Sequence, residues 1–148
     1  MRLTTGLKAT GNIVQETPQD FFDWLNSIFR FDLDVCALPE NAKCGRYFTP
    51  ETDGLCQDWM GGVWCNPPYG KEIIRWVKKA SEEYEKPYCR FVVMLLPART
   101  DTRWFQKYVY NKAFLWFVDG RLKFGGSETS APFPSMVAVY IKRKQYEG

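Results

Sequence analysis

The chain has 148 residues, a formal net charge of +3, 45% hydrophobic residues and 25% charged residues. That length and balance fit one packed domain with its own core, and they exclude a disordered tail, a collagen-like fibre and a coiled coil. There is no histidine, which excludes the serine-type triad, His-ligated metal chemistry and His general bases.

Five cysteines, an odd number with no C-x-x-C pair, read as reduced thiols and give no zinc set, so no metal is expected. The first sixteen residues lack periodicity and read as a flexible N-terminal arm ahead of a single domain over 17–148. The arm has no apolar core of signal-peptide length, and no run reaches the roughly 20 apolar residues of a membrane span. A cytoplasmic protein is expected.

Thr17 is placed as a helix N-cap with Pro18 at N1 and Asp20 at N3. Phe21, Phe22, Leu25, Ile28 and Phe29 recur at helical spacing, which predicts a helix to about Arg30 with one apolar face. Phe31 to Ala37 reads as a buried strand. Residues 38–60 contain Pro39, Pro50 and Gly54 and read as loop, with a helical turn near Leu55. Gly62 to Cys65 is a short strand that runs into Asn66-Pro67-Pro68-Tyr69, where two prolines end any ladder. A second helix is predicted from Lys71 to about Glu85, and Arg90 to Pro97 is the near-continuous apolar run of a central parallel strand. A short helix over Thr102–Tyr110 and strands at Ala113–Val118, Arg121–Phe124 and Ser135–Ile141 complete the pattern. The order predicts an open, mixed α/β sheet with helices on both faces and antiparallel strands at its C-terminal end.

Ligands of such sheets bind beyond the carboxyl ends of the strands, which is where Asn66-Pro67-Pro68-Tyr69 falls. Asn66 offers a side-chain carbonyl oxygen, and Pro67 has no N–H, so its backbone group can only accept. Two neighbouring acceptors can hold both hydrogens of one planar NH2 group and help its lone pair leave conjugation. Tyr69 offers a flat face to the ring bearing that group. The tetrad therefore suits an amine on a flat conjugated system. Aromatics make up 17% of the chain; some must lie outside the core, and exposed aromatics beside cations suit stacking on nucleobases.

The series of motifs resembles the phage-type DNA N6-adenine methyltransferase (Dam) family. It runs from Thr17-Pro18 with Phe21-Phe22, through Phe31–Ala37, Tyr47-Phe48-Thr49, Trp64–Gly70 and Leu95–Thr102, to Gly120–Phe124 and Ala131–Ser135. It spans about residues 15–141. The tetrad alone is also shared with cytosine-N4, RNA and protein-glutamine methyltransferases. The resemblance implies a Rossmann-like class I fold, S-adenosylmethionine as methyl donor without a metal, and DNA as partner. It also implies a bacterial host's cytoplasm as location. A non-catalytic nucleic-acid-binding module with the same fold is the alternative from a different class.

The usual Gly-rich donor loop is absent, and Asp34-Val35-Cys36-Ala37 stands in its place. Under the resemblance Asp34 binds the donor's ammonium or braces the loop, and Cys36 and Ala37 are small enough for a ligand to approach the backbone. Thr17 and Pro18 sit at a helix start that favours the donor's carboxylate, and Asn66 borders donor and base alike. Arg99, Asp101 and Trp104 follow the strongest strand and are assigned to the DNA or adenine pocket. Arg121 and Lys123, alternating on one predicted strand face, are assigned to phosphates. A cysteine attack on cytosine carbon-5 is disfavoured, because Cys65 ends a buried strand rather than following an exposed proline.

Overall fold

The computed structural model describes residues 12–13, 16–125 and 129–143. Its strands are β1 (Asn12–Ile13), β2 (Leu33–Asp34), β3 (Arg46–Tyr47), β4 (Gly61–Cys65), β5 (Tyr69–Gly70), β6 (Cys89–Pro97), β7 (Phe114–Phe117) and β8 (Ser135–Ile141). The helices are α1 (Gln19–Phe29), α2 (Ile73–Glu83) and α3 (Arg103–Tyr108), with a 3-10 turn at Gly54–Cys56. Six strands form one sheet in the order β3-β2-β4-β6-β8-β7. β3, β2, β4 and β6 run parallel, and β8 lies antiparallel between β6 and β7.

Every residue of β6 except Arg90 is buried, because helices cover both faces of the strand. On one face α1 lays Phe22 against Trp64 at 5.3 Å and Phe29 against Phe91 at 5.5 Å. On the other, Trp76 of α2 stacks on Trp59 at 6.2 Å, and Tyr84 meets Tyr140 at 5.5 Å. Tyr140 then donates to the backbone oxygen of Tyr108 at the end of α3. The predicted open, mixed sheet is therefore present. No described helix is long and apolar enough to cross a membrane.

Three expectations change. Residues 121–124 form no strand; left-handed backbone at Gly120 and Gly125 brackets the segment, and a bond from Ala131 N–H to Leu122 O ties it across its loop. Ile28, expected on the apolar face of α1, is exposed, because the buried line of that helix runs through Phe22 and Leu25. Of the presumed arm, 1–11 and 14–15 lie outside the described residues, while β1 pairs with β5 directly after the Pro-Pro step.

Lys142, which opens the basic run Lys142-Arg143-Lys144, has a structural task. Lys142 Nζ donates to the backbone oxygens of Tyr84, Lys86 and Cys89 at 2.7–3.0 Å, which fastens the end of α2 to the start of β6. Lys144 lies outside the described residues.

Gly54 sets how closely the turn at 54–56 approaches the end of β2. A Cβ there would stand 2.1 Å from the backbone oxygen of Val35, an overlap that backbone cannot relieve by a rotamer change. Gly54→Ala is expected to cost about 1–3 kcal/mol, read as a lowered urea midpoint with an unchanged slope.

Candidate active site

β2 and β4 end side by side, with Asp34 opposite Trp64, so Asp34 and Asn66 emerge at the same edge of the sheet. Asp34 is 3% exposed. Its Oδ1 accepts from the backbone N–H of Cys36 at 3.2 Å and its Oδ2 from that of Lys43 at 3.0 Å. The first is a side-chain-closed turn, which asks for no left-handed residue, and Asp34–Ala37 contains none. This is how the chain turns without the glycines of the usual loop. Burial outweighs the two N–H donors and raises the Asp34 carboxyl from 3.8 to about 6. The Cys36 thiol is pushed up by burial and by the Asp34 charge, so it is a small neutral wall and not a thiolate.

Thr17 is not the N-cap. α1 starts one residue later than expected, with Pro18 as a cap that makes no side-chain bond but whose carbonyl accepts from Phe22 N–H at 3.1 Å. The buried Thr17 hydroxyl instead accepts from Asn66 Nδ2 at 2.9 Å. That bond spans two distant segments and orients the Asn66 amide with its nitrogen toward α1.

Thr17, Asp34, Cys36 and Asn66 line one pocket, joined by Glu16 and Asn41. Asn41 Nδ2 donates to Glu16 Oε2 at 3.1 Å. Sequence reasoning missed both: Glu16 lay in the presumed arm and Asn41 in an aperiodic loop, and neither carries a motif. Ala37 stands outside this lining and is held through its backbone to Phe48 O. Pro18 faces a different hollow.

Pro67, Pro68 and Tyr69 are buried. The Tyr69 ring, expected as an open flat face, is 5% exposed. Its hydroxyl donates to Leu95 O at 3.1 Å, and Phe133 and Phe124 stand edge-on to it at 5.5 and 6.3 Å. Burial pushes its phenol up, so it remains a donor. A second hollow of about 210 Å³ begins at Tyr69 and includes Arg99, Trp104 and Phe133; the Arg99 guanidinium lies 5.6 Å over the Phe133 ring. Asp101 is exposed and outside that lining. Arg121 and Lys123 lie in loop and border a third hollow beside α1; Arg121 donates to Ala131 O at 3.2 Å. Among the described residues, no three His, Cys, Asp or Glu side chains gather as a metal site.

Tyr69→Phe removes the hydroxyl and leaves the Leu95 carbonyl without that donor. A loss of about 1 kcal/mol in unfolding free energy is expected, measured by denaturant titration.

The family model for DNA N-6-adenine-methyltransferase (Dam) matches residues 5–142. A DNA N-6-adenine-methyltransferase of Haemophilus phage HP1 is 32% identical over 99% of this chain and 88% of its own length. One of Escherichia phage T1 is 35% identical over 72% of this chain, a match covering 44% of that relative. The mostly parallel open sheet with helices on both faces agrees with a class I methyltransferase fold. The chain belongs to the DNA N-6-adenine-methyltransferase (Dam) family.

Proposed function

We propose that the chain methylates the exocyclic N6 of adenine in DNA with S-adenosylmethionine as donor, in a single domain over 17–148. The supporting observation is the convergence of Thr17, Asp34, Cys36 and Asn66 on one pocket at the carboxyl ends of β2 and β4. Family membership supplies the substrate class. The donor set suits the charged end of S-adenosylmethionine: the Asp34 carboxylate for its ammonium, the start of α1 for its carboxylate, and a small Cys36 for close approach. The bracing and binding roles of Asp34 are compatible, because a carboxylate has about four acceptor sites and two are taken by backbone N–H groups.

When bound, the donor supplies an electrophilic methyl group on a sulfonium. The chain's part is to place and polarise the amine. The Asn66 carbonyl oxygen and the Pro67 backbone oxygen accept the two N6 hydrogens, which draws the lone pair out of the ring and toward the methyl carbon. As the N–CH3 bond forms, the S–CH3 bond breaks and its electron pair stays on sulfur as a neutral thioether, while the nitrogen becomes acidic and releases its proton through these acceptors to water. Alignment and preformed acceptors carry the rate, which is compatible with a chain lacking histidine. The target base is flipped from the duplex and stacks on Tyr69 once the edge of Phe133 or Phe124 gives way. Arg99 and Trp104 shape its pocket, and Arg121 and Lys123 meet phosphates.

DNA incubated with protein and donor, then digested to nucleosides, is expected to show N6-methyladenine by mass spectrometry. Methylcytosine in its place, or no methylated nucleoside, would overturn the reading. Asn66→Ala is expected to lower single-turnover methylation roughly 10²–10³-fold, mainly in kcat. Asn66→Asp keeps shape and acceptor and should retain partial activity.

Asp34 gives the pH dependence. With its carboxyl raised to about 6, it is anionic above that pH and neutral below. Donor affinity is therefore expected to hold at pH 7–8 and to fall as pH drops through about 6. Asp34→Asn should bind weakly throughout, with that step gone, as read by calorimetry at each pH.

A further inference from the structure

Part of the aromatic excess of the sequence surfaces where α1 meets β7. Trp24 of α1 is 49% exposed and Trp116 of β7 is 43% exposed. Their rings lie 5.2 Å apart, and Phe21 stacks on Trp116 at 6.2 Å with only 10° between planes. These rings floor a hollow of about 600 Å³ whose rim carries Arg121 and Lys123 together with Asp20 and Asp119. Half-exposed tryptophans forgo much of the apolar burial that would make them useful to the core. A wall of flat rings beside cations is the chemistry that holds unstacked bases and their phosphates.

Both walls of the hollow continue into the reaction site. On one side Pro18 borders the hollow, while Thr17 bonds Asn66. On the other Lys123 borders it, while Phe124 stands against Tyr69. The hollow is thus one residue away, along two separate segments, from the place where the adenine amine is held. Flipping that adenine leaves its chain neighbour without a stacking partner. We propose that the hollow receives the nucleobase adjacent to the target adenine, stacked on Trp116 and Trp24, with its phosphate at Arg121 and Lys123. The carboxylates on the same rim suit the exocyclic amines of that base. The proposal rests on the reading that DNA is the substrate.

The test uses the full chain and a duplex oligonucleotide containing one adenine that the protein methylates. Matched duplexes carry an abasic residue on the 5′ or the 3′ side of that adenine. On one side, the abasic change is expected to weaken binding by wild-type protein about 10-fold. The Trp24→Ala, Trp116→Ala double variant should bind the intact duplex about 10-fold more weakly and no longer distinguish it from the abasic one. Trp116→Phe should restore part of the difference, and donor affinity should stay unchanged. Folding is checked by thermal melting, and a Trp24→Leu, Trp116→Leu double variant, which keeps apolar bulk but has no ring to stack on, serves with the same expected loss if the alanine variant melts low.

Wild-type protein indifferent to both abasic positions would overturn the proposal. So would variants that lose the same factor as wild type. A wild-type dimer by light scattering that the substitutions convert to monomer, with DNA discrimination intact, would assign the rings to a second copy of the chain instead. Failure of wild-type protein to methylate any DNA would sink the parent reading before the variants are compared.

Discussion

The carboxylate of Asp34 stands at the end of β2, and each of its oxygens accepts one backbone N–H, from Cys36 and from Lys43. Its own backbone oxygen takes Phe48 N–H at 2.9 Å. One residue therefore closes the turn after β2, anchors the loop that follows and aligns β3 at the sheet edge. The same geometry removes the carboxylate from water, so its charge is costly unless something positive comes near. Loop shape is set by the same two oxygens that the proposed function offers to the donor's ammonium. A glycine-rich turn would supply only the shape.

The pocket is assembled from segments far apart in sequence, and each junction uses a directional bond. Asn66 is tied to Thr17, Asn41 to Glu16, and the backbone of Gly125 to that of Glu16. The segment before α1 is thus gripped from the β2 loop, from the β4 end and from the loop after β7. Such bonds contribute modestly one by one, but together they fix the orientation of the Asn66 amide. Behind them the sheet is held as a rigid base. Glu83 is buried on the far side, accepting from Trp59 N–H and the Tyr88 hydroxyl, and the Lys142 ammonium gathers three carbonyls at the opposite end of β6. These charges serve cohesion at the end of the sheet away from the finish of β2 and β4.

The aromatic residues divide along the same line. Phe22, Phe31, Trp64 and Phe91 meet one another at 5.3–6.0 Å and fill the space under α1. Tyr69, Phe124 and Phe133 form a second group after the Pro-Pro step. Trp24 and Trp116 form the exposed third. The first group earns its place by burial alone, while the second and third offer faces and edges that a flat ligand can exchange for.

The sequence by itself determined the central strands, the three helices, the antiparallel C-terminal end of the sheet and the tetrad at a strand terminus. These follow from local rules: apolar periodicity, continuous apolar runs and proline's missing donor. It also carried the family, because a long ordered series of motifs is legible without coordinates. Thr17, Asp34, Cys36 and Asn66 were legible as residues, yet not as one pocket. Only the tertiary structure decided that Thr17 serves Asn66 and not its own helix, that the Asp34 carboxylate holds the backbone N–H groups of Cys36 and Lys43, and that Tyr69 lies under Phe133. The two-residue strands β1, β3 and β5, and the loop conformation of Arg121 and Lys123, were likewise invisible in the pattern. A period needs several residues to show itself, and partners 25 and 49 positions apart leave no local trace of the bond that joins them.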